Sequence, residues 1–223
     1  MKRDLDNYVA TDWKDRLAEY REEADYGSGT ATSHSVPETR QVRLGGDGEV
    51  PGEDFHVFER TGSGSTWKLR LVTVFADGLV YAVEWFSLFE FVDRIRDGEV
   101  RAVPPEGATV RFRTVGQSRA AFSVDESGDE IPSDDFVADI CDRIDRLNDR
   151  SDSSDRCIQA ALQRARKPTA ENRRVLEEAF EAVPILGDMD DKDYPIRALL
   201  APSDTDEFDY GQAYIIDRYD DTA

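Results

Sequence analysis

Lysine is scarce in this chain, with 5 residues against 23 arginines, and the side chains with the readiest chemistry are scarcer still: 2 histidines and 2 cysteines in 223 positions. Two thiols, Cys141 and Cys157, with no histidine beside either, cannot complete a zinc site, and an intracellular setting argues against a disulfide. Both sit at apolar positions of helical patterns and read as small core residues. His34 falls in a small-residue stretch and His56 follows Phe55 in a strand pattern; neither has the neighbours of a catalytic base. Long apolar runs are also missing. The most apolar window, WKLRLVTVFADGLVYAVEWFSLFEF over 67–91, is interrupted by Lys68, Arg70, Asp77 and Glu84, short of the roughly 18 residues a membrane helix needs. The N-terminal MKRDLDNYVATDW carries acids where a signal peptide has its apolar core. The expectation is a soluble cytoplasmic protein with no membrane partner.

What the chain has in excess is aspartate. Its 30 aspartates and 18 glutamates give a net charge of −20. This Asp-heavy, Lys-poor balance resembles the habit of haloarchaeal proteins, which work in molar potassium salt. At about 1 M salt the Debye length is about 3 Å, so the carboxylates repel one another little and the charge serves solubility. The acidity therefore describes a solvent before it describes a ligand. It is also uneven: residues 40–119 are nearly neutral, whereas 120–223 hold most of the excess acid.

The periodicity changes with the charge. Trp13, Leu17, Tyr20 and Ala24 recur at helical steps behind Thr11, predicting an amphipathic N-terminal helix, and YGSGTATSHSVPE (26–38) reads as a flexible linker. Strand patterns follow at 40–44, 55–60, 67–75, 79–85, 100–103, 109–115 and 119–124, separated by Gly- and Pro-rich breaks. One helix is inserted among them. Ser87 and Glu90 form a capping box, Phe86 and Phe91 a hydrophobic staple, and Leu88, Phe91, Val92 and Ile95 an apolar stripe that stops at Gly98. Beyond 130 the period is helical, with stripes through Phe136–Leu147, Cys157–Ala165 and Val175–Val183 predicting a small antiparallel helical array. The stretch YPIRALLAP adds an apolar turn, and AYII (213–216) fits an edge strand or a helix containing Gly211.

The fold class that follows is α+β: a curled antiparallel sheet or partly open barrel of six to seven strands, with an N-terminal helix, one inserted helix (87–97) and a C-terminal helical region. The organisation reads as an N-terminal helix and linker over 1–39, an antiparallel β domain over 40–130 and an acidic helical region over 131–223. Within the 67–91 window a three-residue loop, Ala76-Asp77-Gly78, is preferred over a two-residue one. It sets Leu69 opposite Trp85, Leu71 opposite Val83 and Arg70 opposite Glu84, so that Trp67, Leu69, Leu71, Phe75, Leu79, Tyr81, Val83 and Trp85 share the core face.

No motif names a catalytic residue, a cofactor or a metal. Asp188, Asp190, Asp191 and Asp193 invite comparison with a calcium loop, but Asp193 stands where that loop requires glycine and Leu199 where it requires glutamate. TGSGST (61–66) lacks the lysine and the following helix of a phosphate loop, and GQSRA (116–120) is no nucleophile elbow. Three functional readings remain. The first is a non-enzymatic interaction or regulatory protein of a halophilic, haloarchaeal-type cytoplasm that binds a protein partner. The second is a nucleic-acid binder using a face of arginines and aromatics, Arg70, Arg101, Arg111, Arg113, Arg119, Trp67, Tyr81 and Trp85, against which stands the loss of phosphate affinity in salt. The third is a carboxylate-metal hydrolase, which requires two acids among Asp54, Glu59 and Glu84 to converge within reach of a metal. The bland reading of the strand arginines is that they pair with the acids of the C-terminal helices.

Overall fold

The structure is a computed structural model, and it describes residues 34–35, 40–45, 48–62, 64–113, 119–124, 130–184 and 193–219. The N-terminal helix expected over 12–25, most of the 26–38 linker and the acidic loop 188–192 lie outside these residues. The chain divides into two compact units, whose described parts are 34–150 and 151–219. The change of period at 130/131 lies inside the first unit, because the helix that follows it packs on the sheet. Among the described residues, no helix is long and apolar enough to cross a membrane.

Among the described residues, the first unit is a nine-stranded curled sheet with two helices. Strands β1 (His34–Ser35), β2 (Arg40–Gly45), β3 (Gly48–Arg60), β4 (Thr66–Phe75), β5 (Leu79–Ala82) and β6 (Glu84–Ser87) run as one antiparallel path. Strand β7 (Val100–Arg101) joins β3, and the hairpin β8 (Thr109–Arg113)–β9 (Arg119–Ser123) joins β4. The β4–β8 contact is parallel, pairing Thr66 with Thr109 and Lys68 with Arg111, where only antiparallel pairing was expected. Short loops cannot make such a join; the chain crosses over through β5, β6, helix α1 (Leu88–Arg96) and β7.

Register settles which side chains share a face. Strand β3 pairs with β4 as Phe55↔Val72 and Val57↔Arg70, and β4 pairs with β5 as Val74↔Val80. Alternation therefore puts Phe55, Val57, Val72, Val74 and Val80 on one face, all buried. Two helices cover that face. Helix α1 brings Leu88, Phe91, Val92 and Ile95, and α2 (Ser133–Leu147) brings Phe136, whose ring meets Phe55 edge-on at 6.3 Å. Arg143 of α2 ties the layers together, ion-paired to Glu53 of β3 and set 5.1 Å above the Phe55 ring. Cys141 is buried in this unit and Cys157 in the other, both as free thiols.

The predicted three-residue loop is present, with Gly78 at φ 78° and Thr73 opposite Tyr81. The face assignment is overturned in part: Trp67 and Phe75 are buried as expected, whereas Leu71, Tyr81, Val83 and Trp85, also expected in the core, are 54, 42, 65 and 42% exposed. The 79–85 strand is also two strands: the chain reverses at Val83 (φ 79°), and β6 folds back so that Tyr81 pairs with Trp85 and Ala82 with Glu84. Arg70 accordingly does not face Glu84.

The inserted helix matches its sequence signature. Ser87 Oγ accepts from the Glu90 backbone at 3.2 Å, Glu90 Oε2 accepts from the Ser87 backbone at 2.8 Å, and the Phe86 and Phe91 rings lie 6.3 Å apart.

The second unit is helical: α3 (Ser153–Arg166), α4 (Ala170–Glu181), α5 (Asp193–Ala198) and α6 (Asp206–Tyr219). Asp152 and Thr169 cap α3 and α4 by accepting from Asp155 and Asn172. Cys157, Ala161, Leu176, Ile196, Leu199, Phe208 and Ile215 form its core. The AYII segment is part of α6. That helix crosses α5 at Gly211, where a Cβ would stand 2.7 Å from the Pro195 carbonyl oxygen and 2.9 Å from the Ala198 Cβ. The only side chain that fits there is hydrogen. The guanidinium of Arg164 is buried in this unit and donates to the carbonyls of Leu199, Thr169 and Ala201 at 3.2, 3.1 and 3.4 Å.

Candidate interaction surface

Three neighbouring cross-strand rows lie on the face of the sheet opposite α1 and α2. Gly52 and Phe75 pair, and with Leu79 and Ser87 they form the first. Asp54, Thr73, Tyr81 and Trp85 form the second, and His56 and Leu71 pair in the third. Phe75 lies flat across the neighbouring strand because residue 52 is glycine: a Cβ there would meet its ring at 2.8 Å. Trp85 then stacks on both Phe75 (5.6 Å) and Tyr81 (4.9 Å), and Arg43 lies 5.3 Å over Phe75 with Asp77 as its ion-pair partner. Thr73 Oγ1 donates to Asp54 at 2.6 Å and is buried. The outcome is an aromatic ridge with Leu71 and Val83 at its margin, exposed on a surface otherwise rich in charge.

The eight residues singled out from sequence do not form one surface. Tyr81 and Trp85 belong to the ridge. Trp67 is buried with Ala108 and Val110, and Arg101 lies 5.9 Å over its ring while paired to Glu130 at 2.9 Å. Arg70 and Arg111 point to the opposite face, by their pairing with Val57 and Lys68. Arg111 is exposed and has no ion-pair partner among the described residues. Arg113 and Arg119 pair across the end of the β8–β9 hairpin, and their side chains are outside the described residues. Sequence reasoning missed Leu71 and Val83 by assigning them to the core.

The expectation that strand arginines draw their partners from the C-terminal helices is overturned for Arg43, Arg70 and Arg101, which pair with Asp77, Glu59 and Glu130 of their own unit. The three acids of the hydrolase reading do not converge either. Asp54 and Glu59 occupy opposite faces of β3, and Glu84 is exposed at the turn of the β5–β6 hairpin. Among the described residues, no three His, Cys, Asp or Glu side chains are grouped to hold a metal ion.

Glu59 is the most tightly held of these acids. It accepts from Arg70 at 2.8 Å and from Arg94 of α1 at 2.9 Å, joining helix to sheet. Burial alone would raise its pKa, but the hydrogen bonds and charges of the two arginines outweigh burial and hold it below its ordinary 4.5. A folded value below the unfolded one means stability that is present above the unfolded pKa and lost as pH falls through the folded one. Asp139 works in the opposite sense, since burial raises its pKa despite the nearby Arg143. Glu59→Gln isolates the first effect. At pH 7 the variant is expected to be less stable by about 1–2 kcal/mol, and its urea midpoint should converge on the unmodified protein's as pH drops below about 4.5. A gap that stays constant into acid would contradict this.

Residues 40–151 match a family described as a domain of unknown function (DUF7638), and residues 152–220 match another, described as a domain of unknown function (DUF7639). The first match spans half of the chain, which therefore belongs to that family. The two matches meet within one residue of the boundary between the compact units. No curated protein and no solved structure matches the chain.

Proposed function

We propose that this member of the DUF7638 family is a non-enzymatic interaction protein that binds a protein partner through the open face of its sheet. The observation that carries the reading is the exposure of Leu71, Tyr81, Val83 and Trp85, left uncovered while the other face is buried beneath two helices. Contiguous exposed apolar and aromatic side chains are the usual substance of protein interfaces, and aromatic anchors carry much of their binding energy. The net charge of −20 fits a high-salt cytoplasm of the haloarchaeal kind. In such a solvent charge contacts are screened while apolar contacts are not weakened, which favours recognition by this face over recognition by arginines. Nucleic-acid binding is less favoured: Tyr81 and Trp85 lie on the face opposite Arg70 and Arg111, and Arg70 is committed to Glu59.

The test compares the full chain with Leu71→Asp as bait in a native high-salt lysate. Leu71 is 54% exposed, so the substitution is expected to change stability by no more than about 0.5 kcal/mol. A stoichiometric protein partner should be retained by the unmodified chain and lost by the variant, with affinity falling at least about tenfold. Equal retention by both, or recovery of a bare monomer from each, would remove the reading. A shift of single-stranded DNA abolished by Arg111→Ala would replace it with the nucleic-acid one.

A further inference from the structure

Tyr194 of α5 and Tyr210 and Tyr214 of α6 stand in a row on the second unit. Their ring centroids are 5.6 Å apart between Tyr194 and Tyr210 and 6.4 Å apart between Tyr210 and Tyr214. Tyr194 is 63% exposed and Tyr210 50%, whereas Tyr214 leans on the core. Helix α6 does not need these rings to fold, because it buries Phe208, Gly211 and Ile215 on a neighbouring stripe. Helical spacing puts Asp206 and Glu207 one turn before Tyr210, and Asp217 one turn after Tyr214, all three exposed.

The way this chain uses its other aromatic rings sharpens the point. At six places among the described residues a guanidinium lies over a ring, including Arg164 over Phe208 at 4.8 Å and Arg197 over Phe180 at 5.0 Å in this same unit. Among the described residues no arginine or lysine lies over Tyr194, Tyr210 or Tyr214. Among the described residues this exposed aromatic row has carboxylates one turn away and no guanidinium or ammonium group over its rings, while Arg197 and Arg218 follow Tyr194 and Tyr214 by one turn.

We infer that this row is a docking site for an arginine-bearing segment of a partner protein, distinct from the sheet face and independent of its role. A planar guanidinium stacks on a tyrosine ring while its edge donates to a flanking carboxylate, so one arginine satisfies both features of the surface. Lysine offers a point charge and stacks less well. Each ring contributes roughly two- to fivefold in affinity, and that stacking share survives salt that screens the carboxylates.

The experiment uses the full chain and a fluorescent arginine–glycine repeat peptide, with lysine–glycine and glutamate–glycine peptides beside it, followed by anisotropy at low salt and at about 2 M KCl. The arginine peptide should bind at both salts, the lysine peptide several-fold more weakly, and the glutamate peptide not at all. Tyr194→Ala with Tyr210→Ala should weaken the arginine peptide about tenfold, and Tyr194→Phe with Tyr210→Phe should restore it. Tyrosine ring resonances of the unmodified protein should move on titration, a readout that needs no variant to fold. Unmoved resonances, an alanine pair that binds as well as the original, or arginine and lysine peptides that bind alike and vanish together at high salt would each overturn the inference. So would a tyrosine-dependent dimer in sedimentation, which would assign the row to a second copy of the chain.

Discussion

Replacing Arg164 with methionine is expected to cost the second unit about 3 kcal/mol or more, enough to strip amide protection from α3 to α6. The guanidinium is 3% exposed and contacts Leu199, Thr169 and Ala201 only through their carbonyl oxygens, two of which belong to the turn that ends α5. Carbonyls at a helix C-terminus carry the negative end of its dipole, so they partly answer a charge for which the described residues offer no carboxylate. Burial pushes the pKa of Arg164 down, and the charge of Arg173 pushes the same way, yet a guanidinium keeps its charge in a protein. Methionine fills similar volume and keeps the contact with Phe208, so what it removes is the donors. The buried Leu199 carbonyl and the part-buried Ala201 carbonyl then lose this donor, while Thr169 keeps the bond from the Arg173 backbone; a buried acceptor left unmatched is the expensive half of losing a hydrogen bond. Lysine is expected to recover only part of the loss, since one ammonium group does not reach three separate acceptors as the guanidinium fork does. Hydrogen exchange over 153–219 measures this directly, with 48–147 as the internal reference. Unchanged protection in the variant would show that the clamp contributes little.

The second large effect is expected in the sheet unit, where Phe91→Ala should destabilise by about 3–5 kcal/mol. Phe91 is wholly buried, forms the staple with Phe86 and sits among the residues that seal the valine face of β4 and β5. Its removal loses the transfer energy of the ring and leaves a cavity that a helix pinned at both ends cannot close. Against a typical total of about 5–15 kcal/mol, that change brings the unit near unfolding. Urea denaturation followed by tryptophan fluorescence should show the midpoint falling with the slope unchanged. A loss below about 1 kcal/mol would mean that α1 contributes less to the core than its burial implies.

Helix α1 was legible because its instructions are local: Ser87, Glu90, Phe86 and Phe91 all act within one turn of the chain. The stripes of α3 and α4 were legible for the same reason. The face of β4 was not. Its odd-numbered residues are Trp, Leu, Leu, Thr and Phe, and its even-numbered ones include Val72 and Val74 beside Lys68 and Arg70, so alternation alone read the charged row as the outer one. Arg70 is tolerated on the covered face because Glu59, itself also paired to Arg94 of α1, meets it there, a contact between residues apart in sequence. The reversal at Val83 carried no signal at all, since a β-branched residue at φ 79° is among the last that turn chemistry would select. The ridge was half legible for that reason. Tyr81 and Trp85 were singled out for their chemistry, while their company on the open face depends on a turn that only tertiary packing imposes.

Strand β4 is apolar toward both faces over Leu71–Phe75, and this has a consequence before the sheet exists. The run LVTVF combines β-branched, aliphatic and aromatic residues with no charge and no proline, which is the composition of segments that pair with copies of themselves when unprotected. Arg70 closes it on one side and Asp77 stands just beyond it on the other. In the native state these two serve Glu59 and Arg43; in a chain still emerging or transiently open they act as gatekeepers, setting charge against the stacking of identical strands.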